Sequence, residues 1–292
     1  MTEAAPDSAY RDGYFAVADG LRLHYRDHAG DGSRPPLLCL PGLTRNARDF
    51  ADFAERMAPR FRVLCLDLRG RGGSEFDPQP DRYLPPTYAR DSIELLDQLG
   101  IERAVFVGTS LGGIVTMIVA AFASNRIAAA ILNDVGPELT DVGLDRIRNY
   151  VGSDASFATW AEAGEAVARN QAHLPASWGD EQWQSMARRM CRVGDDDRIY
   201  FDYDPAIAHP FRLATGKSDV DMWPLFDALA KHPLLVIRGQ HSELFTDEAM
   251  QAMASRSPNV ATVTVAGAGH APELDEPEAV AAIDTFLGRV AD

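Results

Sequence analysis

The chain has 292 residues, 46% of them hydrophobic, which suits one large domain or one domain carrying an insertion. Its formal net charge of −15 gives a surface that repels phosphate backbones, so nucleic-acid binding is not expected. No run nears the roughly 20 apolar residues that span a bilayer. The start, MTEAAPDSAYRDG, lacks the basic and apolar regions of a signal peptide. A cytoplasmic protein without membrane contact is therefore expected.

In chain order, YFAVADGLRLHYR (14–26) predicts a hairpin turning at Asp19-Gly20. Short apolar runs follow: LLCL (37–40), RVLCLDL (62–68), AVFVG (104–108), AAAILND (128–134), LLVIRG (234–239) and ATVTVAG (261–267). Helical patterns lie between them at 47–58, 88–100 and 112–124, and a last helix, PEAVAAIDTFLGRV, closes the chain. Strand alternating with helix predicts an α/β fold with a parallel sheet covered on both faces. The alternation breaks after Pro137. Residues 138–222 carry helical patterns at 144–151, 156–172 and 180–192, in a stretch too long for a loop. They predict a mostly helical cap inserted in a core formed by 1–137 and 223–292. Cys39 and Cys65 sit inside apolar runs, which predicts buried, reduced thiols.

Gly108-Thr109-Ser110-Leu111-Gly112 matches G-x-S-x-G between a strand and a helix. So tight a reversal requires small residues at 108 and 112 and a strained Ser110. It also sets the Ser110 hydroxyl at a helix N-terminus, where negative charge is favoured. The N–H of Leu111 then becomes a candidate donor to a developing oxyanion. A serine nucleophile needs a base. His270, in VTVAGAGHAPELD, lies in a loop between the last strand and the last helix. The loop Leu40-Pro41-Gly42-Leu43 offers the N–H of Leu43 as a second oxyanion donor.

These elements resemble the α/β-hydrolase superfamily, in its cap-containing serine esterase and lipase-like branch. Similar proteins carry HG-x after the third strand, D-x-R-G-x-G-x-S after the fourth, G-x-S-x-G after the fifth and G-x-G-H near the end. This chain has Pro41-Gly42-Leu43, DLRGRGGS (67–74), GTSLG and GAGH (267–270) in that order, departing at Pro41, where the family usually has His. The resemblance implies a mostly parallel eight-stranded sheet flanked by helices. It also implies a triad acid after the sixth or the seventh strand. Asp134 (ILNDVGPE) follows the sixth, and Glu243 (VIRGQHSELF) the seventh, one position later than the usual G-x-x-D. Asp134 is favoured and Glu243 is the alternative.

The expected function is hydrolysis of small to medium apolar esters through an acyl-enzyme on Ser110. Lactone or carbon–carbon bond cleavage by the same triad, or ligand binding without catalysis, are the alternatives. Trp160, Trp183 and His241 are candidate pocket residues. No cofactor is expected, because G-x-G-x-x-G and G-x-x-x-x-G-K-[ST] are absent from the places that would bind one. No metal is expected, since the acid-rich GDDDRIYFDYD (194–204) lacks calcium-loop spacing. The partner is a small-molecule ester, and the oligomeric state is not read from the sequence.

Overall fold

The apolar runs become strands of one sheet because each can bury both of its faces. The structure, a computed structural model, describes residues 9–30, 32–170, 178–210 and 220–290. Strands β1 (Arg11–Ala16) and β2 (Arg22–His28) form the expected hairpin, with Gly20 at φ 88° in its turn. They are followed by β3 (Leu37–Leu40), α1 (Ala51–Met57), β4 (Val63–Leu66), α2 (Pro85–Gln98), β5 (Ala104–Thr109), α3 (Leu111–Phe122) and β6 (Ile127–Asn133). After the cap come α7 (Trp223–Leu229), β10 (Leu234–Gly239), α8 (Asp247–Arg256), β11 (Val260–Val265) and α9 (Pro277–Val290).

The sheet has eight strands in the order β1-β2-β4-β3-β5-β6-β10-β11. β1 and β2 pair antiparallel, as do β2 and β4, and every other pair is parallel. Successive side chains on a strand point to opposite faces, so each central strand feeds two cores. Leu38, Leu40, Leu66 and Phe106 pack with Leu95 of α2, Val115 of α3 and Phe226 of α7. Leu37, Val63, Val105 and Val107 pack with Phe53 of α1 and Ile283 and Phe286 of α9. Each such side chain contributes roughly 1.5–3 kcal/mol when buried. Cys39 and Cys65 are register partners on β3 and β4, buried and unbridged. The chain leaves β3 for β4 on one side and β5 on the other. That reversal opens a crevice beyond the strand ends, the usual ligand position in such sheets.

Between β6 and α7, the described residues form α4 (Asp141–Tyr150), α5 (Trp160–Asn170) and α6 (Asp180–Met190). They also form a three-stranded antiparallel sheet that the helical expectation lacks. Its strands are β7 (Ser156–Phe157), β8 (Cys191–Val193) and β9 (Ile199–Phe201), in the order β7-β9-β8. Two or three residues are too few to show alternation, which is why the sequence pattern misses them. The acid-rich 194–198 stretch turns the β8–β9 hairpin, closed by Gly194 N–H to Arg198 O at 2.7 Å. No helix among the described residues is long and apolar enough to cross a membrane.

Candidate active site

β5 ends at Thr109, α3 begins at Leu111, and Ser110 between them has φ 51° and ψ −114°. That is strained backbone for a residue with a side chain. Both flanking glycines are sterically required. A Cβ at Gly112 would lie 2.0 Å from Leu40 O, and one at Gly108 would lie 2.5 Å from the Gly112 carbonyl. The elbow is held to β6 by Ser110 N–H to Asn133 O at 3.0 Å.

His270 reaches the elbow from the loop after β11. Gly267, at φ 71°, turns that loop, and its N–H donates to Gln240 Oε1 at 2.9 Å. Asn133 Nδ2 donates to Pro272 O at 2.8 Å, tying the far side of the loop to the end of β6. His270 Nε2 lies 2.9 Å from Ser110 Oγ, and Nδ1 lies 2.6 Å from Asp134 Oδ2. A proton on Nδ1 is donated to the carboxylate, which leaves Nε2 to accept from the serine hydroxyl.

Asp134 is fully buried, at φ 57° just past β6. Besides His270 it accepts from Gly239 N–H at 2.8 Å and from the Ser242 hydroxyl at 2.6 Å. These donors fix its orientation. Glu243 lines the cavity beside Ser110 but pairs with the cap. Its Oε2 accepts from Arg146 Nη1 at 2.6 Å, and its side chain is half exposed. So the geometry brings Ser110, His270 and Asp134 together and ties Glu243 to the cap helix α4.

Leu43 lines the cavity beside Ser110, and a Cβ on Gly42 would come within 3.8 Å of the Ser110 Cβ. The N–H groups of Leu43 and Leu111 have no acceptor among the described residues. The cavity is about 100 Å³. Its far wall is α4, contributing Arg146, Ile147 and Tyr150, with Met186 of α6. Gly143 lets α4 approach this closely, since a Cβ there would meet Leu244 Cα at 2.7 Å. Burial pushes the Tyr150 phenol up despite the opposing charge of Arg45. Arg45 itself is clamped by Asp49 through bonds of 2.6 and 2.8 Å.

The three candidate pocket residues do not line this cavity. Trp160 lies under the Arg188 guanidinium, 4.5 Å from its ring centre, and Trp183 packs on Trp178 at 4.9 Å. These tryptophans serve the packing of α5 on α6. The His241 side chain is exposed, and its backbone N–H ties to Ala268 O at 2.8 Å. Two contributions escaped the sequence reading. Ser242 stands at the third position after Gly239, where the usual G-x-x-D has its acid. The α4 wall carried no signal beyond an amphipathic helix.

The alpha/beta hydrolase family matches residues 37–283, a span that includes Ser110, Asp134 and His270. The chain belongs to the alpha/beta hydrolase family. A 3-hydroxybutyrate-oligomer hydrolase from Cupriavidus necator is 33% identical over 276 residues, covering 91% of this hydrolase and 92% of its own length. Esterase YbfF from Escherichia coli is 24% identical over 261 residues, covering 89% and 95%. A crystal structure of an alpha/beta hydrolase from Novosphingobium aromaticivorans matches this hydrolase with a TM-score of 0.92 at 51% identity, covering 97% of this chain and 100% of that one.

Proposed function

We propose that this hydrolase cleaves short carboxylic esters through an acyl-enzyme on Ser110. The observation that carries the reading is the continuous hydrogen-bonded path from Ser110 Oγ through His270 to buried Asp134. Ser110 Oγ attacks the ester carbonyl carbon while His270 Nε2 takes its proton. Asp134 holds the ring and stabilises the imidazolium. The carbonyl oxygen, now negative, accepts from the N–H groups of Leu43 and Leu111. Collapse expels the alcohol, which takes the proton from His270. Water then gives a proton to the same nitrogen and attacks the acyl carbon, releasing the acid and restoring Ser110.

Two observations support short acyl groups, with room for a polar substituent. The cavity is small, and its wall mixes Phe50, Ile147 and Leu244 with two charged pairs, Arg45 with Asp49 and Arg146 with Glu243. The relative from Cupriavidus necator is named for 3-hydroxybutyrate oligomers, which are short hydroxy-acid esters. The test is a chain-length panel of p-nitrophenyl esters together with the linear dimer of 3-hydroxybutyrate. Turnover is expected to be highest for acyl chains of about four carbons and to fall for longer ones, given the cavity size. Ser110→Ala is expected to lower kcat by about 10⁵-fold or more. Near wild-type hydrolysis by pure Ser110→Ala protein would overturn the reading.

A further inference from the structure

We propose that Arg71 is a positioning residue that fixes the Leu43 segment of the oxyanion loop. The inference rests on the reading of Leu43 as an oxyanion donor. Arg71 belongs to the DLRGRGGS loop after β4, and its side chain is 0% exposed. Its Nε donates to Leu43 O at 2.9 Å, and its Nη1 donates to Arg69 O at 2.6 Å and to the Tyr88 hydroxyl at 3.1 Å. The Tyr88 and Tyr83 ring centres lie 4.9 and 5.6 Å from its guanidinium carbon. Its Nη2 is buried and has no partner among the described residues.

Arg69, two residues earlier, gives the contrast. It is just as buried, but it grips Asp91, Asp77 and Asp19. That is how a buried structural guanidinium is usually compensated. None of Arg71's bonds among the described residues is to a carboxylate. An unneutralised cation bonded to the loop that holds the oxyanion makes negative charge on the carbonyl oxygen more favourable. It also braces a loop whose Pro41 has no polar side chain to do so. The backbone of Arg71 bridges to Tyr203 of the cap, flanked by Gly72 N–H to Asp202 O at 3.1 Å and Asp204 N–H to Gly70 O at 2.7 Å. The loop that carries the brace is therefore itself fixed from the cap side.

The test compares a short ester with its thionoester, in which sulfur replaces the carbonyl oxygen. Sulfur is a poor acceptor, so the kcat ratio of ester to thionoester reports the oxyanion donors, while proton transfer between Ser110 and His270 affects both substrates alike. Wild-type protein is expected to show a large ratio. Arg71→Met is expected to lower ester kcat by about 10- to 100-fold with KM nearly unchanged, and to lower the ratio by about tenfold. If the Met variant does not fold, Arg71→Lys decides. A single ammonium cannot span Leu43 O and Arg69 O as the planar fork does, so the ratio is expected to fall by about threefold. A folded variant that keeps the wild-type ratio overturns the role of Arg71 alone. A wild-type enzyme indifferent to the sulfur overturns the oxyanion reading and Arg71 with it.

Discussion

Two histidine–aspartate pairs with a buried aspartate share nearly equal geometry among the described residues, and the second ring nitrogen separates them. In one, His270 Nδ1 sits 2.6 Å from Asp134 while Nε2 meets the Ser110 hydroxyl at the cavity. In the other, His24 Nδ1 sits 2.7 Å from Asp67 while Nε2 meets Asp12 at 2.8 Å. A ring between a carboxylate and a hydroxyl is placed to accept the hydroxyl's proton. A ring between two carboxylates is held as a cation and ties β1 and β2 to the loop after β4. Asp67 also accepts from Ala47 N–H at 2.6 Å and Gly73 N–H at 2.9 Å, both backbone groups that shape the core. On the proposed reading, the same two residue types support chemistry in one place and architecture in the other.

Substituting the two aspartates alike should split rate from stability. Asp134→Asn is expected to lower kcat by about 10⁴-fold, through loss of the ring orientation and of support for the imidazolium. Asp67→Asn is expected to leave the triad intact and to destabilise the fold by about 3 kcal/mol, as breaking a buried charged pair does. Steady-state kinetics and denaturant melts on both variants check this. A stability loss without a rate loss at Asp134 would erase the distinction.

The His24 clamp also has a pH signature. Burial alone lowers the His24 pKa, but the bonds and charges of Asp67 and Asp12 outweigh it, so the pKa stands above the ordinary 6.5. The clamp's stabilisation is then fully present below about pH 6.5 and fades as pH rises through the raised value. His24→Gln is expected to lose most stability relative to wild type in mildly acid solution, with a gap that narrows in alkaline solution. Melts across that range check it, and a gap that stays constant with pH would contradict the cationic clamp. A small effect on rate is expected at the other carboxylate. Glu243→Gln should lower kcat by less than about tenfold, because it loosens the Arg146 pair on the cavity wall and leaves His270 oriented. A loss as large as that of Asp134→Asn would reverse the assignment of the acid.

What could be read from the sequence follows from how tightly each position is constrained. Gly108 and Gly112 are forced by backbone atoms 2.0–2.5 Å from where a Cβ would stand, so the elbow leaves its mark residue by residue. The loop bearing His270 carries a different mark, the left-handed Gly267 of GAGH at φ 71°, whereas Gly42 of PGL has room for a Cβ. The choice of acid was harder to read, because Asp134 and Glu243 both follow strands that end at the same sheet edge. It turns on a local conformation, φ 57° at Asp134, and on a hydroxyl, Ser242, that no motif requires. The cavity wall was not legible. It depends on how α4 crosses the strand ends, and a tryptophan's bulk suits the α5–α6 contact as well as a pocket.

The most direct measurement is the intact mass of the protein after treatment with a fluorophosphonate, alongside Ser110→Ala. The expected result is a single covalent adduct on the wild-type chain and none on the variant, because only an activated serine attacks the phosphorus. A folded wild-type protein that stays unlabelled, or a variant that labels equally, would contradict a nucleophilic Ser110.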